Sequence, residues 1–230
     1  MNIAGLQKMT LLDYPGRIAC TVFLAGCSLR CPFCHNTSLV LPDRCPPPPL
    51  MSPEELLRFL QSRQGKLDGV CITGGEPTLH RDLPQLIGAI RDLGFPVKLD
   101  TNGTNPAMLR ALLEDGLLDY VAMDIKNCPA RYDETCGGVS VLPLVQESVR
   151  LLMESHVDYE FRTTVFSPAH GPEEMAAIGQ WLRGAKRYFI QAFVDSGDLI
   201  GTGKPLSQDE MNALLQTVLP YLPTAQLRGI

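Results

Sequence analysis

The chain has no apolar run approaching the ~20 residues that a membrane span needs. Nor has it an excess of positive charge: the formal net charge is −5 over 230 residues. The first absence argues against a spanning helix, and the second gives no sign of the basic patch that nucleic-acid binding would require. The N-terminus lacks a charged stretch followed by an apolar core, so no secretory signal is expected and the sequence predicts a cytosolic protein. There is also no second tight group of cysteines. Of the eight, Cys20, Cys45, Cys71, Cys128 and Cys136 are scattered, unlike the disulfide framework of a small secreted domain. Cys20 and Cys71 sit in apolar, strand-like runs and are expected as buried thiols. The remaining composition is ordinary, with 45% hydrophobic and 20% charged residues. A chain of this length forms one or at most two domains and can bury a sizeable core.

What is present is an alternation of apolar, β-branched runs with helical patterns, the mark of βα units and a parallel sheet. Strands are predicted at about 18–24, 69–73, 96–100, 120–125, 159–165 and 188–193. Helix starts are better marked. Ser52 is a candidate N-cap with Pro53 at the first helical position and Glu55 completing a capping box. Leu56, Phe59, Leu60 and Arg63 follow at helical spacing, the three apolar residues being the expected buried stripe. Further helices are expected at about 83–93, with Gly94 closing it, and at about 106–114, with Asn105 as cap. Others are expected at about 144–154, 172–182 and 208–219, the last opened by Ser207 and Glu210. The run Pro46-Pro47-Pro48-Pro49 can be neither helix nor central strand.

The chemistry is concentrated at Cys27-Ser28-Leu29-Arg30-Cys31-Pro32-Phe33-Cys34, on a loop straight after the first predicted strand. Thiolates select zinc or iron–sulfur clusters. A closed structural zinc site takes four ligands, and Cys45 or His35 could complete one. A four-iron cluster held by only three cysteines leaves one iron open to bind something else.

The C-x3-C-x2-C pattern with Phe33 before the last cysteine resembles the signature of the radical S-adenosylmethionine (SAM) enzymes. Leu11-Leu12-Asp13-Tyr14-Pro15-Gly16, Phe23-Leu24-Ala25-Gly26-Cys27 and Cys34-His35-Asn36 narrow the likeness to activating enzymes of glycyl-radical proteins. Among these, the sequence is most similar to the activating proteins of anaerobic ribonucleoside-triphosphate reductase. The resemblance runs from about residue 1 to about residue 193. It implies an α/β fold, a single-domain partial (βα)6 barrel over residues 1–206, with a C-terminal helix and tail, 207–230, packed on it. In parallel barrels the active site forms at the carboxyl ends of the strands, and the polar motifs of this chain lie there.

The resemblance further implies a [4Fe–4S] cluster on Cys27, Cys31 and Cys34, and SAM chelated at the open iron. Asn36, and His35 beside it, would tune the cluster from nearby, with Phe33 beside the cofactors. Gly74-Gly75-Glu76-Pro77 resembles the family motif that binds the SAM amino group, glycines allowing close backbone approach and the acid matching an ammonium. Asp100, Thr101 and Asp124 would contact SAM and supply hard oxygens to a monovalent cation. Lys126 would face the SAM carboxylate or the reacting end, and either it or a cation is expected to balance the acids. Arg162 would lie near the SAM carboxylate or ribose. Gln191 stands where a relative carries a histidine against the adenosyl group. Gly201-Thr202-Gly203-Lys204 lacks full Walker spacing and is expected as a flexible loop.

The activity so implied is abstraction of a hydrogen atom from a glycine of a partner glycyl-radical enzyme, with flavodoxin or ferredoxin as electron donor. Two other classes stay open. One is a radical SAM enzyme acting on a small molecule, like the deazapurine-forming synthase; the other is a non-catalytic zinc-binding module.

Overall fold

The structure, a computed structural model, describes residues 1, 3–34, 36–41, 51–195, 197 and 199–230. His35, Cys45 and the proline run lie outside the described residues. Among the described residues, eight strands form a mostly parallel sheet in chain order, β1 to β8. The six expected strands are all present, and each end of the sheet carries one more.

The first added strand is β1, Ile3–Thr10, which pairs antiparallel with β2, Ala19–Leu24. Its sequence hides it. Two register shifts interrupt the ladder, and Gln7, Lys8 and Met9 face solvent, so no period-2 pattern survives. The last strand, β8 (Ala225–Arg228), is only four residues long and lies parallel to β7, Tyr188–Ala192. It is held by a side-chain clamp that no local pattern reveals. Arg228 donates to both oxygens of the buried Glu160, at 2.7 and 3.0 Å, and stacks 3.6 Å over the Phe189 ring.

Two compact units make up the chain. The first comprises Met1–Ser28, Asn36–Thr101 and Asn105–Val121, and the second Leu29–His35, Asn102–Thr104 and Ala122–Ile230. In the first, β2 runs parallel to β3 (Gly69–Gly74), and β3 to β4, Val97–Thr101. The strands are almost wholly buried, as strands covered on both faces must be; β2 and β3 are mostly apolar, while β4 carries Lys98 and Asp100. Helices α1 (Thr37–Val40), α2 (Pro53–Gln61), α3 (Leu83–Asp92) and α4 (Pro106–Glu114) connect them.

The capping box on α2 forms as its sequence demands: Ser52 accepts from the Glu55 amide, and Glu55 reaches back to the Ser52 amide. Asn105 likewise caps α4 by accepting from the Met108 amide. On α2 the buried stripe is narrower than expected. Leu56 and Leu60 are buried, while Phe59 is half-exposed under the guanidinium of Arg63, which lies beyond the helix end.

Strand β5, Tyr120–Asp124, begins in the first unit and ends in the second. The second unit continues with α5 (Tyr132–Thr135), α6 (Leu142–Glu154), β6 (Asp158–Val165), α7 (Pro172–Trp181), β7, α8 (Gln208–Val218) and β8. Strands β6, β7 and β8 are parallel. Ser207 and Glu210 form the expected box at the start of α8. Among the described residues, no helix is long and apolar enough to cross a membrane.

Candidate active site

In the first unit the glycine motif is bolted to the chain that leads into Cys27. The Gly75 amide donates to the Leu24 carbonyl at 2.9 Å, and the Glu76 amide to the Gly26 carbonyl at 2.7 Å. Asn36 donates its side-chain amide to the Gly74 carbonyl at 3.0 Å. Only glycine fits here. A Cβ on Gly75 would lie 2.0 Å from the Gly26 oxygen, and one on Gly74, whose φ is +130°, would lie 2.2 Å from the Leu24 oxygen. The backbone path of Gly26 and Cys27 is therefore set by contact with a second strand end.

Glu76 is fully buried. Its Oε1 accepts from the Thr78 amide at 3.1 Å, from the Thr78 hydroxyl at 2.5 Å and from the Thr101 hydroxyl at 2.7 Å. Thus Glu76 caps the turn Pro77–Leu79 and ties the end of β3 to the end of β4. Asp100, near the end of β4, is ion-paired with Lys98. The expected partner for the acids was Lys126 or a solution cation; at Asp100 it is instead a lysine two residues earlier on the same strand.

In the second unit, Asp124 ends β5 and is held by two cations. Lys126 donates to its Oδ2 at 2.9 Å and Arg162 to its Oδ1 at 2.9 Å. Those two cations keep Asp124 ionised, well below the usual carboxylate range, against the opposing effect of burial. Arg162 thus ties β6 to the end of β5. The Lys126 ammonium also sits 5.6 Å over the Phe33 ring. Gln191 lies within β7, half-buried, in ladder register with Thr164 and Arg228.

Around the cysteines of this unit the chain is pinned on several sides. The Cys34 amide closes a turn on the Cys31 carbonyl at 3.1 Å. Arg30 donates its amide to the Cys136 carbonyl at 3.2 Å, and Gly201 donates to the Pro32 carbonyl at 2.8 Å. The Gly201–Lys204 segment is accordingly not a loose loop. Ser167 and Lys204 exchange main-chain bonds at 3.0 and 3.1 Å, and a Cβ on Gly201 would meet Pro32 at 2.5 Å. Phe33 packs on Phe166 at 4.7 Å between ring centroids, and Phe166 on Phe193 at 5.8 Å.

Two residues of this environment escaped the sequence. Cys136 is buried and hydrogen-bonded to Cys31. That bond, helped by the Lys126 charge, lowers the Cys31 thiol to about 7 despite burial, and raises Cys136 correspondingly. No motif connects these positions. His170 is the other. Its Nδ1 accepts from the Phe166 amide at 3.3 Å, and its Nε2 donates to the Lys126 carbonyl at 3.0 Å. Both bonds need a single neutral tautomer.

Burial pushes the His170 pKa down from 6.5 to about 4. Between those values the unfolded chain takes up a proton that the native state refuses. Stability should therefore fall as pH drops through this window, by up to roughly 1.4 kcal/mol per unit. Urea midpoints measured from pH 7 to pH 5 check this, and His170→Asn should lose most of the slope.

None of the described cysteines is in a disulfide. Cys27 belongs to the first unit, Cys31 and Cys34 to the second. Among the described residues no three His, Cys, Asp or Glu side chains are gathered tightly enough to hold one metal ion. The donor set suits an iron–sulfur cluster: three thiols on one short stretch, one of them with a depressed pKa beside a lysine.

Residues 21–182 match the radical SAM superfamily. A protein of Methanocaldococcus jannaschii, provisionally named a glycyl-radical enzyme activating enzyme, is 31% identical over 99% of this chain and 96% of its own length. The 7-carboxy-7-deazaguanine synthase of Thermococcus kodakarensis is 29% identical, over 61% of this chain and 60% of its own. Among solved structures, Streptococcus suis SuiB bound to S-adenosylmethionine superposes with a TM-score of 0.71 at 14% identity, covering 91% of this chain. This chain spans about half of that structure, 52% of its length.

Proposed function

The chain belongs to the radical SAM superfamily, and from that premise we propose that it is the activating enzyme of a glycyl-radical protein. Its substrates are SAM, one electron and a glycine of the partner. Cys27, Cys31 and Cys34 hold a [4Fe–4S] cluster through three thiolates, leaving one iron for SAM. When bound, these cofactors supply reductive cleavage of SAM and the adenosyl radical that takes a hydrogen atom.

What the chain contributes is placement. Gly74 and Gly75 offer backbone at close range, and Glu76 fixes that backbone to Thr78 and Thr101. Asn36 holds the Gly74 carbonyl, and Lys126 brings a positive charge toward Cys31. Arg162 holds Asp124, and Phe33 and Gln191 complete the set of residues assigned to the cofactors. The monovalent cation implied by resemblance is left out, because both acids that would ligate it already hold protein cations.

The observation that carries the activase assignment is the extent of the match, 99% of this chain against a relative with that name. The deazaguanine synthase, a small-molecule enzyme by name, aligns with 61%. The N-terminal blocks Leu11–Gly16 and Phe23–Cys27 favour anaerobic ribonucleoside-triphosphate reductase as the partner. Flavodoxin or ferredoxin supplies the electron, and the protein works in the cytoplasm.

The test is anaerobic reconstitution with iron and sulfide, then dithionite and SAM, with 5′-deoxyadenosine as the readout. Addition of candidate partners should then give a glycyl radical signal by electron paramagnetic resonance. A colourless, zinc-loaded protein without SAM cleavage sinks the proposal. Cleavage coupled to turnover of a small deazapurine precursor, with no partner signal, would favour the synthase class instead.

A further inference from the structure

We propose that Lys98 is a built-in counter-cation for Asp100, so that the strand ends of the first unit need no monovalent metal ion from solution. The inference rests on the proposed function only where SAM is used as a probe.

The geometry is local. Lys98 and Asp100 are two residues apart on β4 and therefore share a face of the sheet. The Lys98 side chain is 2% exposed and its ammonium is ion-paired to the Asp100 carboxylate, itself 14% exposed. Cys71 is the direct cross-strand neighbour of Lys98 on β3. Its sulfur lies 3.6 Å from the ammonium and 3.7 Å from the Asp100 oxygen, closing a triangle. An ammonium at this depth is strongly unfavourable without its acid. Conversely, Asp100 already has a unit positive charge in contact, which balances its own without an ion from solution.

In the second unit Asp124 shows the same arrangement with Lys126 and Arg162. Both strand-end acids thus take their balancing charge from the chain. Lys98 acts through Asp100, which makes it a positioning residue.

The experiment compares tetramethylammonium chloride with potassium and sodium chloride at equal ionic strength, on the wild-type protein. SAM affinity of the reconstituted enzyme and the thermal midpoint are both measured. Wild-type affinity should stay within about twofold across the salts, and the midpoint should not move. Lys98→Ala should lose about tenfold in affinity in tetramethylammonium salt. It should regain part of that, and part of its lowered midpoint, with potassium or ethylammonium, which can occupy the vacated volume.

Specific tightening of the wild type by potassium or sodium, beyond about fivefold or with a raised midpoint, would overturn the proposal. So would a Lys98→Ala protein indistinguishable from wild type. Lys98→Met keeps the volume without the charge and should be destabilised with no rescue. If neither variant folds, the wild-type comparison still decides. Absence of SAM binding in every salt would count against the proposed function alone, while the midpoints continue to report on Lys98.

Discussion

Replacing Cys31 by alanine should abolish SAM cleavage, reducing 5′-deoxyadenosine formation by at least about a thousandfold, on the order of 4 kcal/mol in barrier terms. With two thiolates left, a second iron loses its protein ligand and the cluster is not retained, so the expected protein is pale and poor in iron. Cys31 is the most informative of the three because of its surroundings. It is buried and bonded to Cys136, and that bond, helped by the Lys126 charge, lowers its pKa to about 7. A thiolate is therefore available near neutral pH, which ligation requires. Cys136→Ala is the matched control, since it removes a buried thiol from the same spot while leaving all three motif cysteines in place. It should keep its iron. Equal iron loss in the two variants would mean that Cys136 is a ligand and that the three-cysteine assignment is wrong.

Gly75→Ala carries the second large expectation, through backbone contact. The new Cβ would sit 2.0 Å from the Gly26 oxygen and 3.3 Å from the Cys27 Cβ. Neither neighbour is the far end of a flexible side chain, so the strand end itself must shift. That shift breaks the bond from the Glu76 amide to Gly26 and displaces Cys27. Overpacking of this sort costs about 1–3 kcal/mol of stability, and cluster retention and SAM affinity should each fall by an order of magnitude, about 1.4 kcal/mol. Gly88, on α3, is the control. A Cβ there meets nothing within 4 Å, and Gly88→Ala should raise stability by about 0.5–1 kcal/mol. Iron content and urea midpoints of the two variants separate a clash at the site from a general intolerance of alanine.

Much of the candidate site rests on signals that are local. The spacing of Cys27, Cys31 and Cys34, the glycines before Glu76, and the acids at the ends of β4 and β5 all fall within short stretches read at one strand end each. Lys98 was within reach of the same method. A lysine two positions before an acid on a buried strand shares its face, and a buried lysine demands a partner. By contrast, Cys136 meets Cys31 from a distant part of the sequence, and His170 grips the Lys126 carbonyl from a separate loop. Neither has a neighbour in sequence that announces it.

The amino-acid sequence alone determined the alternation of strands and helices, the caps at Ser52, Asn105 and Ser207, and the cysteine pattern with its chemistry. These depend on side chains a few residues apart, whose geometry follows from the helix and strand repeat. The tertiary structure decided the two added strands, β1 and β8, and the charge partners of Asp100, Asp124 and Glu160. It also decided the fastening of the cysteine stretch to Gly201 and Cys136. The physical reason is that burial forces every charge and every main-chain group to find a partner, and the partner is whatever packing brings near, at any separation along the chain.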